Sequence, residues 1–155
     1  MDLMFKYVKL LEEDKIKYRF EIDGIIYLVS FVNDNDNIYL RSYINDDGIN
    51  IFRLVNKNPF KILQAVTFVT QNFIDEYKPD AIVMEHLAES LEWQHRNNKP
   101  NRRAIANYRY LKNIEGYKTH YFISKYIDTK CILSKTHFNY DTLINKNIYT
   151  EFIMD

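Results

Sequence analysis

Glycine is nearly missing from this chain: of 155 residues only Gly24, Gly48 and Gly116 are glycine, and each stands alone. Folds that cradle nucleotides or phosphates on glycine-rich turns need two or three glycines within a few residues, so that class has no anchor here. Cys131 is the single cysteine, which excludes an internal disulfide and any multi-cysteine zinc site, suits a reducing compartment, and reads as a buried structural thiol. Neither sign of charge is in excess: 21 Lys and Arg balance 21 Asp and Glu, leaving no global pull toward nucleic acid or an anionic membrane. No apolar run approaches the ~20 residues of a membrane span. The opening MDLMFKYVKLLEEDK also lacks a basic region followed by an apolar core, so the chain is expected to be soluble and not secreted.

What is present organises around Pro59 to Glu85. Ile62, Val66, Val69 and Phe73 recur at helical steps, with Phe60 and Leu63 flanking the same stripe. Pro59 suits a first helical position and Lys78-Pro79 a stop, because the residue before proline is driven out of the helical region. Ala81 to Met84 then reads as a strand in the sheet this helix covers.

Upstream, residues 1–15 predict a short docking helix, from Leu3, Met4, Tyr7, Val8, Leu10 and Leu11 at mostly helical spacing. Tyr18, Phe20 and Ile22 alternate with charged residues as a half-buried strand, and Asp23-Gly24 is a strong hairpin signal. Ile25 to Val32, apolar almost throughout, is expected to be a central strand covered on both faces. Asn33 to Asn37 reads as a loop, Ile38 to Ile44 as a third strand, Asn45 to Gly48 as a turn and Ile49 to Val55 as a fourth strand. Downstream, a turn of helix fits Leu87 to Trp93, and a second helix opens at Pro100-Asn101 with Ala104, Tyr108 and Leu111 inward. Strands at Tyr117 to Ile123 and Ile127 to Leu133 close the pattern. The expected fold class is thus α+β: an antiparallel β-meander covered by a long central helix, then strand, second helix and closing strand. It forms a single domain over 1–155, with 134–155 as a docking arm or terminal helix.

The candidate chemistry is sparse. The Asn and Asp clusters lack the bidentate glutamate of a calcium loop and suit turns. Glu85, His86, Glu89, Glu92 and His95 crowd together, but the Glu92-to-His95 spacing needs a second such pair on another helix. Asp80 and Glu85 lack the Glu-x-Lys that completes a metal-dependent nuclease site, and Cys131 has no nucleophile setting. No catalytic residue, metal or cofactor is expected. The one basic and aromatic concentration contains Trp93, Arg102, Arg103, Arg109 and Lys112, a candidate contact for a partner or for phosphate. With zero net charge, nucleic acid is not the favoured partner.

In its order of elements the chain resembles part of the GNAT acyltransferases. Where their loop carries glycines against a pyrophosphate, this chain has Arg102-Arg103-Ala104-Ile105-Ala106. The arrangement therefore comes without the acetyl-CoA motif. Phe60, Val66, Phe73, Ile74, Lys78, Pro79 and Ile82, followed by Asn101, Arg102, Tyr108, Arg109 and Leu111, resemble small tailed-bacteriophage proteins over residues 17–124. That resemblance implies a phage product in the virion or the host cytoplasm: a non-enzymatic structural or protein-binding component whose partners are other phage subunits or itself. The alternatives are a counter-defence or accessory module holding a phosphorylated ligand or nucleic acid through 85–109, or a degenerate GNAT-like acyltransferase.

Overall fold

The computed structural model describes residues 6–45, 59–86, 109–124 and 129–152. The chain is α+β and divides into two compact units, residues 1–78 and 79–155.

In the first unit, β1 (Tyr7–Leu11), β2 (Lys15–Ile22), β3 (Ile25–Asn35) and β4 (Ile38–Asn45) form an antiparallel meander in that order. The Asp23-Gly24 turn forms as the sequence predicts. Ile22 pairs with Ile25, and the two residues between them hold φ of 53° and 80°, the left-handed pair that a two-residue primed turn demands. Residues directly opposite across strands share a face, so Tyr18 with Val29 and Phe20 with Tyr27 line one side of the sheet. All four are buried there.

The helix α1 (Pro59–Tyr77) begins and ends as its prolines predict. Ile62, Val66, Val69 and Phe73 are buried, and the Phe73 ring stacks on Phe31 of β3 with centroids 3.9 Å apart. At its end the N–H of Lys78 donates to the Ile74 carbonyl at 2.9 Å with Lys78 in the left-handed region (φ 48°), a C-terminal cap usually given to glycine.

Three expectations for this unit are corrected. Residues 7–11 are a strand and not part of a helix: the pattern is short enough to fit either period, and pairing with β2 from Tyr7↔Phe20 to Leu11↔Ile16 decides it. Asn33 to Asn35 continue β3 through a bulge, so only Asp36 and Asn37 turn the chain. The central strand is not covered on both faces, since Tyr27, Val29 and Phe31 are buried while Ile26, Leu28, Ser30 and Val32 stay half-exposed. The expected turn at Asn45 to Gly48 lies largely outside the described residues. The expected fourth strand at 49–55, the helical turn at 87–93 and the start of the second helix lie wholly outside them; residues 109–111 are helical.

In the second unit, β5 (Ala81–His86), β7 (Thr129–Lys135), β6 (Tyr117–Ser124) and β8 (Tyr149–Phe152) lie side by side in that order, each antiparallel to its neighbour. The apolar run Cys131-Ile132-Leu133 is buried on both faces, as a central strand requires. Asp80 ties to Lys135 by a backbone bond and an ion pair, each 3.0 Å, and the Tyr117 hydroxyl donates to the Pro79 carbonyl at 2.7 Å. Within the segment 134–155, expected as a docking arm or terminal helix, Asp141–Leu143 make a short 3-10 turn and Tyr149–Phe152 lie as β8 beside β6. Its four-residue strand finds donors and acceptors on the open side of β6, which a free arm would leave to water.

Candidate functional site

The polar concentration among the described residues lies on one face of the second unit's sheet. Strand registers place Glu85, Lys130, Phe122 and Glu151 in one cross-strand row, since Glu85 is opposite Lys130, Lys130 opposite Phe122, and Phe122 opposite Glu151. Two residues along β6, His120 shares that face. Its Nδ1 is 3.6 Å from Glu151 Oε1.

Tyr140 roofs this corner. Its ring stacks on His120 with centroids 4.0 Å apart and leans on Phe122 at 5.8 Å, and its hydroxyl reaches Glu151 Oε1 at 3.4 Å. The chain is set there by Asn139, whose Oδ1 accepts from the Asp141 N–H at 3.1 Å, and by the Leu143 N–H donating to the Tyr140 carbonyl. Lys130 lies 3.5 Å from Glu85 and 4.8 Å from the centroid of the Tyr149 ring.

Burial pushes the His120 pKa below its ordinary value, with Glu151 pulling the other way; desolvation is the larger effect, so the imidazole is neutral at neutral pH. Burial pushes the Tyr140 phenol up, with the Glu151 charge adding to it. Lys130 and the neutral His120 are largely shielded, whereas the Glu85 and Glu151 side chains are 62% and 46% exposed. The face therefore shows carboxylates to water, an arrangement that repels phosphate and suits hydrogen-bonding donors or cationic side chains of a protein partner. No group of three or more His, Cys, Asp or Glu able to hold a metal ion occurs among the described residues.

Of the residues singled out in the sequence, Trp93, Arg102 and Arg103 lie outside the described residues. Arg109 is exposed in the helical segment 109–111, and Lys112 is exposed in the turn after it. Glu85 joins the row just described. His120, Tyr140 and Glu151 were not singled out, because their meeting depends on a β6–β8 pairing that no local pattern announces. The alternation of His120 and Phe122 around Tyr121 was the available signal.

The first unit has a different surface. On the face turned away from α1, Val8 and Leu10 of β1, Ile26, Leu28 and Val32 of β3, and Leu40 and Ile44 of β4 share one side by register. Val8, Leu10 and Leu40 are 53%, 41% and 40% exposed. A shallow depression of about 190 Å³ opens there between Val8, Arg19, Glu21 and Ile26, below the size of ordinary small-molecule pockets. Comparison with protein families, characterised proteins and solved structures finds no match to this chain.

Proposed function

We propose that the chain is a non-enzymatic protein-binding component of a tailed bacteriophage, an auxiliary virion protein whose partner seats on the outer face of the first unit. The observation that supports this reading is the set of aliphatic side chains on a sheet face that α1 does not cover, Val8 and Leu10 on β1 and Leu28, Leu40 and Ile44 on β3 and β4. By register Lys17, Arg19 and Glu21 of β2 lie between the aliphatic side chains of β1 and those of β3 and β4, so the face alternates apolar strips with a charged one, a mixed composition that suits a protein partner. The phage setting comes from the sequence resemblance alone.

Mass spectrometry of density-purified particles from a phage that encodes the chain tests it. The protein is expected in the particles at a fixed copy number. Leu40→Glu, which places a charge on the outer face at an already exposed position, is expected to fold normally and to be excluded from them. Particles that lack the wild-type protein, or that incorporate Leu40→Glu equally well, overturn the reading.

A further inference from the structure

Among the described residues, strand β1 ends its sheet, with β2 as its neighbour. The Glu12 N–H donates to the Lys15 carbonyl at 2.9 Å. By the alternation of antiparallel pairing, Glu12, Leu10 and Val8 then turn their backbone groups toward β2, while Tyr7, Lys9 and Leu11 turn theirs to the open edge. The other side of β2 agrees: Asn33 N–H donates to the Asp14 carbonyl, which leaves Lys15, Lys17 and Arg19 for β1. Such a row of outward N–H and C=O groups is a template for another strand.

The side chains beside that edge complement themselves when the strand is reversed, with Glu12 also held by Lys17 of its own chain at 2.8 Å. Lys6, Val8, Leu10 and Glu12 lie along the outer face as cation, apolar, apolar, anion. Laid antiparallel against itself about Lys9, the sequence sets Lys6 opposite Glu12, Tyr7 opposite Leu11, and Val8 opposite Leu10. The hydrogen-bonded pairs in that register are those of Tyr7, Lys9 and Leu11, the residues whose backbone faces outward. Val8 and Leu10 take the closer, non-hydrogen-bonded positions where side chains touch.

Two Lys9 residues meet at the centre. Each is already held by its own Glu76, whose carboxylate oxygens lie 2.6 and 2.8 Å from Nζ, so the like charges are neutralised within each copy. Lysine on an edge ordinarily blunts pairing, and here the helix removes that protection.

We propose that β1 is the interface of a twofold dimer of this chain, two copies joining edge to edge by antiparallel β1–β1 pairing. This rests on the protein-binding reading and shares Val8 and Leu10 with the outer face, but the dimer is tested at Leu10 and the virion partner at Leu40, so either claim can fail alone. In sedimentation velocity, the full chain shifts from monomer to dimer as its concentration rises through the micromolar range. Leu10→Lys, facing solvent in the single copy, leaves the circular dichroism unchanged and abolishes the dimer. Lys6→Glu sets like charges opposite one another at both ends and weakens dimerisation roughly tenfold. A chain that stays monomeric throughout overturns the dimer while leaving a heterologous partner on the sheet face untouched. A dimer that survives Leu10→Lys, or one that Lys6→Glu leaves unweakened, assigns self-association to another surface and equally overturns the proposal.

Discussion

Phe31 of β3 and Phe73 of α1 lie face to face, their ring centroids 3.9 Å apart and their planes within 4° of parallel. Both are fully buried, Tyr39 meets Phe73 edge-on at 4.9 Å, and Tyr18 meets Phe31 edge-on at 5.8 Å. The pair thus anchors an aromatic cluster between helix and sheet. Phe73→Ala is expected to cost about 3–5 kcal/mol, from lost transfer energy and the cavity left between flat neighbours that cannot collapse into it. Equilibrium urea unfolding measures it; a loss below about 1 kcal/mol would place the first unit's core elsewhere.

A second link between helix and sheet is polar. The buried Arg41 of β4 donates from Nη1 to Thr70 Oγ1 at 3.1 Å, and the Thr70 hydroxyl donates onward to the Val66 carbonyl at 2.7 Å. Thr70→Val keeps the shape but removes the acceptor beneath a buried guanidinium. The expected cost is about 1–3 kcal/mol, more than a volume-conserving swap would produce. Arg41→Met with Thr70→Val is expected to cost less than the sum of the two single changes, since neither partner then remains to be satisfied. A double-mutant cycle by urea denaturation checks the coupling, and additive losses would show that the bond contributes little.

How legible this was in the sequence depended on the range of the cause. The period of α1, its proline boundaries and the Asp23-Gly24 turn are set within a few residues, and all three appeared where expected. Tyr7 to Leu11 failed because five residues satisfy a helical period almost as well as an alternating one, and the choice rests on β2. The bulged extension of β3 failed similarly, since Asn33 to Asn35 have turn chemistry but take the register of β4. Apolar residues on both faces of β3 predict double cover, whereas its outer face is half-exposed and belongs to the proposed docking surface. Of the candidate site, Glu85 was legible as a charged residue, but its row mates belong to three other strands.

Lys78 offers a test of a local expectation. A lysine with φ of 48° accepts left-handed strain so that its N–H can cap Ile74, and its carbonyl accepts from Asn37 Nδ2 at 2.7 Å. Neither bond uses the lysine side chain. Lys78→Gly is expected to keep both and to stabilise the fold by about 0.5–1 kcal/mol, the relief of strain exceeding the added freedom of the unfolded chain. A higher urea midpoint with an unchanged slope confirms it; a lower midpoint would mean that the lysine stem packs productively.

The last prediction concerns acidity. The folded pKa of His120 lies below the ordinary imidazole value of 6.5 because burial disfavours the imidazolium more than Glu151 favours it. Protons then bind more readily to the unfolded chain, so the stabilisation is fully present above the unfolded value and is lost as pH falls from there toward the folded pKa. Other groups also titrate in this range, so the informative quantity is a difference between variants. His120→Gln keeps a polar, planar side chain against Tyr140 without a titrating nitrogen. Stability measured by urea unfolding from about pH 7.5 to pH 5.5 is expected to fall more steeply in the wild type than in His120→Gln. Equal slopes would mean that Glu151 and burial cancel at His120. A steeper slope in the variant would mean that the carboxylate wins, in which case His120 and Glu151 form a true ion pair near neutral pH.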